Sequence, residues 1–207
     1  MKYSPLLFLV IFLSACSKDK VNGPLKLKNG QEVELSVDHR YAAVGETLLM
    51  MPKNEPAEFS LQGFMDRKPG YTYRVKARFH IEKEPLQDAS DRWFEFSKVI
   101  SEQKYMGAEP FNISMIKSFV PGGPIIYLTK DGAQYQYIQE KLQLSYANQT
   151  VKDQLEEIWQ HALEIREREK KEQKYIAPKW KSILATVTHD PNNFGKAYLV
   201  QRIVFTL

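Results

Sequence analysis

Residues Tyr71 to Ile81 constrain the fold more than any other stretch. Tyr71, Tyr73, Val75, Ala77, Phe79 and Ile81 alternate with Thr72, Arg74, Lys76, Arg78 and His80. That period of two suits an extended strand with one face buried and the other wet. Each large side chain on the apolar face is worth about 1.5–3 kcal/mol on burial, which predicts a strand at the centre of a core. Pro69-Gly70 supplies the turn into it. The loop 82–91, containing Pro85 and Asp88, leads back to a strand from Trp93 to Ile100, expected to pair antiparallel with the first.

The remaining elements follow from the same periodicities. Val33, Leu35 and Val37 alternate with Glu32, Glu34, Ser36 and Asp38, a half-buried strand; Leu48 to Met51 is a shorter run stopped by Pro52. Past a boundary placed at Met106 to Pro110, Phe111, Ile113 and Met115 alternate, Pro121-Gly122-Gly123-Pro124 breaks the chain, and Ile125 to Leu128 precedes an Asp131-Gly132 turn. Residues 134–146 read as strand. Thr150 to about Gln173 predicts a helix: Val151, Leu155, Ile158, Trp159, Ala162 and Leu163 recur at three- and four-residue spacing, Thr150 can cap it, and Asp153 lies near its start. Its end, Arg166 to Lys174, is almost wholly charged and should project into solvent. A strand through Ile183, Ala185 and Val187, a loop from His189 to Gly195 and a strand from Ala197 to Phe205 close the chain. This last hairpin can be laid over the one from Val75 to Ile100, so an internal repeat is one reading and the shared chemistry of strand-loop-strand units the other.

The fold class expected is therefore α+β. A β-rich first domain over 30–105, a small barrel or curled antiparallel sheet, precedes a domain over 106–207 in which an antiparallel sheet packs on one long helix near 150–173. Residues 16–29 carry Lys18, Asp19, Lys20, Gly23 and Pro24 and read as a flexible tether.

The N-terminus bears on location. Lys2 precedes eight apolar residues, Leu6 to Leu13, far short of the roughly 20 that a transmembrane helix needs. Leu13-Ser14-Ala15-Cys16 resembles a bacterial lipobox. The resemblance implies that residues 1–15 are a signal peptide, that the Cys16 thiol takes a diacylglycerol, and that the mature chain is tied to a membrane by lipid; ordinary cleavage and secretion is the alternative. Ser17 follows the cysteine, which in enteric lipoproteins implies the periplasmic face of the outer membrane. Cys16 is the chain's single cysteine, so no disulfide or thiolate metal site is expected. A net charge of +4, to which Lys2 contributes one, is too small to argue for nucleic acid.

Several ordered steps, Gly63-Phe64, Pro69-Gly70-Tyr71-Thr72-Tyr73, Pro85, Asp88-Ala89-Ser90 and Val99-Ile100-Ser101, resemble the signature of the DUF 4377 family over about a third of the chain, Gln31 to Gln103. The resemblance implies an envelope lipoprotein domain and transfers no catalytic residue. The cysteine pair common upstream of the glycine-phenylalanine step in that family is missing here.

For chemistry the residues offer little. His39, His80, His161 and His189 lack metal-site spacing, no Gly-x-Ser-x-Gly step or phosphate-cradling loop occurs, and neither a cofactor nor a metal is expected. The candidate contact surface is the basic stripe Arg74, Lys76, Arg78 and His80, whose groups a strand would set about 6.5–7 Å apart. It could grip an anionic surface or an envelope protein, or it could be a solvated face paired across strands with Glu34 and Asp38. The expected function is a non-enzymatic envelope module that binds or stabilises another component. A loop-built hydrolase and a small-ligand carrier are the competing classes.

Overall fold

The long alternating segment forms β7 (Tyr71–Ile81), and the structure, a computed structural model, describes residues 21–22, 25–84, 90–118, 122–138 and 141–207. Residues 1–15, Cys16, the Gly23-Pro24 step, Pro85, Asp88, Ala89 and Pro121 lie outside the described residues. The fold is α+β: a curled half-barrel sheet, and a second sheet packed on the helix.

In chain order the first half holds β1 (Val21–Asn22), β2 (Leu27–Lys28), β3 (Glu32–Val37), β4 (Leu48–Met50), β5 (Glu55–Pro56), β6 (Leu61–Gln62), β7 and β8 (Arg92–Lys104). The curled sheet runs β5-β4-β3-β7-β8-β6. Tyr73, Val75, Ala77 and Phe79 are at most 1% exposed and meet Leu35, Val37 and Phe94, so the apolar face of β7 is the core. Folded chain starts earlier than residue 30, because β1 pairs with β2 and Leu27 is buried in the same core with Leu25 against it. Two apolar residues at i and i+2 are enough to dock this segment on the curled sheet.

The second half holds β9 (Phe111–Ser114), β10 (Ile116–Ser118), β11 (Pro124–Ile126), β12 (Thr129–Asp131), β13 (Gln134–Ile138), β14 (Leu142–Tyr146), α1 (Gln149–Glu172), β15 (Ser182–His189) and β16 (Ala197–Thr206). Its main sheet runs β12-β13-β14-β16-β15-β9. Val151, Leu155, Ile158, Ala162 and Ile165 of α1 are buried against it. Asn148, not Thr150, caps the helix: its backbone is extended and its side-chain oxygen accepts the Val151 N–H at 3.0 Å, which leaves Thr150 as the second helical residue. Asn148→Ala should accordingly cost about 1 kcal/mol in denaturant titration, and Thr150→Ala much less.

The two sheets share more than a hairpin. Ordered across the first sheet, β3-β7-β8-β6 pair antiparallel, antiparallel and parallel. Across the second, β9-β15-β16-β14 pair in the same three senses. Chain order also matches, because in each set the strand parallel to the hairpin's second arm precedes the hairpin. Parallel neighbours need a crossover, and between β14 and β16 the chain supplies α1 and β15.

Candidate functional site

Ten residues between β3 and β4, Asp38 to Thr47, leave the curled sheet, cross to the second sheet and return. This strap carries Ala42 and Ala43 into the packing of the second core. The Val44 N–H donates to Asn112 O at 2.8 Å, the Tyr198 hydroxyl to Tyr41 O at 2.9 Å, and the Tyr137 hydroxyl to Ala42 O at 3.3 Å. Tyr198 is wholly buried, so its hydroxyl needs that carbonyl.

Asp38 shapes the strap. Its carboxylate accepts from the Arg40 backbone N–H at 3.0 Å, from the Arg40 guanidinium, and from the Thr47 N–H and hydroxyl at 3.2 and 3.0 Å. Burial alone would raise this carboxyl's pKa; the hydrogen bonds from Arg40 and Thr47 outweigh it and hold the group well below the usual carboxylate range. Arg67 adds a second tie, giving one guanidinium nitrogen to Glu46 and another to the Asp38 carbonyl, with its charge 4.8 Å from the centre of the Tyr41 ring.

At the first turn of the strap the two halves meet through two imidazoles. His39 Nδ1 lies 2.8 Å from His189 Nε2, and Tyr105 stacks on His39 at 3.5 Å with the rings 6° apart. His189 Nδ1 is buried without a hydrogen-bond partner, whereas His39 Nε2 faces Asp38 at 3.7 Å. The tautomers that fit place a proton on Nε2 of each ring, so His189 donates to His39 and His39 turns its own proton toward Asp38. Gly70 completes the junction. Its N–H donates to His39 O at 2.8 Å and its carbonyl accepts the Tyr105 N–H at 2.9 Å. Asp190, 3% exposed, accepts from Ser145 Oγ at 2.7 Å and from the Asn192 N–H at 2.8 Å, which sets the loop that carries His189.

Charge on this pair is disfavoured. Burial, then the neighbouring His39, pushes the His189 pKa down from 6.5 to about 4, against a smaller opposing pull from Asp38. His39 is also lowered, chiefly by burial and in part offset by Asp38. Between pH 6.5 and 4 the unfolded chain therefore binds more protons than the folded one. The pair's contribution is complete above 6.5 and is lost as pH falls toward 4; because solvent still reaches part of the His189 ring, its share of that loss is about 2 kcal/mol. Denaturant titrations at pH 7, 5.5 and 4 should show this fall, and His189→Gln should flatten it.

A polar cleft of about 390 Å³ opens beside the strap, walled by Asp38, His39, Arg40, Thr72, Tyr105 and Glu109. Thr72 is also the first residue of the polar face of β7, so the cleft sits at the head of the stripe Arg74, Lys76, Arg78 and His80. The stripe is not a bare cationic row. Arg74 pairs with Glu34 at 2.7 Å, Arg78 and Lys76 with Glu32 at 3.8 and 4.0 Å, and His80 lies 3.8 Å from Glu82 with its ring against Trp93. Glu34 is the cross-strand partner expected; Asp38 is not one, because the strap has taken it inward. All these pairs are substantially exposed, and each is worth little.

Of the four histidines, sequence spacing gave no reason to join His39 to His189, which are 150 residues apart. One signal was available: each adjoins an aspartate, Asp38-His39 and His189-Asp190, and these are the two buried polar or charged residues among those described. His161 has a local role, accepting the Lys179 N–H at 3.0 Å and meeting Trp180 edge-on. No group of three histidine, cysteine or acidic residues placed to hold a metal ion occurs among the described residues, and no helix among them is long and apolar enough to cross a membrane. No family model, curated protein or solved structure matches the chain.

Proposed function

We propose that this chain is a bacterial envelope lipoprotein, held by lipid on Cys16 at the periplasmic face of the outer membrane, whose folded part binds or stabilises another envelope protein without catalysing a reaction. The lipobox-like Leu13-Ser14-Ala15-Cys16 supports the anchor, and the resemblance of Gln31 to Gln103 to the DUF 4377 family supports the setting. The observation that carries the binding reading is the continuity between the cleft at Arg40, Thr72 and Tyr105 and the polar face of β7. That surface offers hydroxyls, a guanidinium and exposed ion pairs that can exchange their glutamates for a partner's carboxylates. The nearest titratable pair suits structure better than turnover, because the two imidazoles hydrogen-bond each other instead of a serine or threonine hydroxyl.

A photo-crosslinking residue at Lys76 in living cells, with a control at Glu167 on the charged helix end, tests this. A discrete protein adduct at Lys76 alone is the expected result. No adduct at either position, or identical adducts at both, would overturn the proposal.

A further inference from the structure

Tyr105 lines a second opening whose chemistry differs from the first. The segment Lys104 to Ala108 and the β15–β16 hairpin enclose a groove of about 400 Å³. Its wall is mainly apolar, with Met106, Pro191, Phe194 and Leu199 among the lining residues, and Met106 is 82% exposed. Thr188 and Gln201 add a neutral hydroxyl and amide, 3.4 Å apart. His189 contributes a ring but no charge at neutral pH.

Lys104 is the one charged residue among those lining the groove. Its ammonium lies 4.3 Å from the centre of the Phe194 ring, and no carboxylate among the described residues forms an ion pair with it. A cation held against an aromatic face at the side of an apolar trough lacks a counter-charge that a ligand can supply.

We propose that this groove binds a small, free amphipathic monoanion, with an apolar body against Phe194, Leu199 and Met106 and a carboxylate on Lys104. A two-chain lipid is too large for the volume, whereas an aromatic or short-chain carboxylate fits within it. The flexible Met106 thioether can fold over a bound apolar body. Tyr105 borders both openings, but the groove shares no other residue with the cleft and none with β7, so a change at Lys104 or Ala108 tests it apart from the protein-binding reading.

Naphthalene-2-carboxylate and its neutral isostere naphthalene-2-carboxamide are suitable probes, compared by equilibrium dialysis against the full chain. The wild-type chain should take up one equivalent of the carboxylate at least ten times more tightly than the carboxamide. Lys104→Gln should abolish that preference while keeping the weaker binding of the carboxamide. Ala108→Trp, a change at an exposed position that fills the groove, should remove binding of both probes without altering the thermal midpoint. Equal binding of the two probes, a preference that survives Lys104→Gln, or saturable uptake unaffected by Ala108→Trp would each overturn the proposal, as would the absence of saturable uptake.

Discussion

Gly70→Ala should destabilise the protein by about 2–3 kcal/mol, although it adds only a methyl group. Two costs combine. Gly70 has φ +83°, in the left-handed region that side chains with a Cβ disfavour, and an added Cβ would lie 2.7 Å from Phe194 Cζ and 3.3 Å from His189 Nδ1. The Phe194 ring could swing away, but it is packed edge-on against Tyr71, tilted against His189 and under Lys104, so moving it disturbs three contacts. Any shift of Gly70 itself would lengthen its bonds to His39 and Tyr105. For a chain of this size the loss corresponds to a fall in thermal midpoint of roughly 5–10 °C. Adding Phe194→Leu should recover the steric part and leave the backbone part. No recovery would mean that the ring is not what Gly70 accommodates.

Asp38→Ala should cost about 3 kcal/mol. The Asp38 side chain is 5% exposed and gathers donors from Arg40 and Thr47, both within the strap. Removing it leaves the Thr47 N–H and hydroxyl without their acceptor and takes from Arg40 the group that folds it back. Arg40, 30% exposed, can turn to water, which keeps the cost below that of stranding a fully buried charge. Asp38→Asn should be nearly as damaging, because an amide presents donors where the carboxylate accepted. The loss should also expose the strap, so limited proteolysis within 39–47 is expected to accelerate in both variants. Asp38's lowered pKa makes its contribution present above the ordinary carboxylate pKa of 3.8 and lost as pH falls below it.

Local periodicity carried most of the architecture. Alternation placed β3, β7, β15 and β16, and three- and four-residue spacing placed α1, because each depends on one buried face whose residues lie close in sequence. The long connections were opaque for the opposite reason. Ala42 and Ala43 have no periodic context, yet they enter the second core because the strap is pinned by Asp38 and Glu46. Asp38 reads as the wet end of β3, and only the turn after it reveals that the carboxylate points inward. The helix cap moved from Thr150 to Asn148 by competition between two capping residues two positions apart, which spacing cannot arbitrate. The shared strand order of the two sheets extends the hairpin likeness to four strands, a pattern carried by pairing and not by residue identity.

Titration of the imidazole resonances of His39 and His189 by nuclear magnetic resonance tests most directly whether a neutral histidine pair joins the two sheets. His189 should stay neutral at pH 5.5, titrate near pH 4, and show a proton on Nε2 that exchanges slowly with water. Independent titration of both rings near 6.5, with rapid exchange, would contradict the hydrogen-bonded pair and the junction built around it.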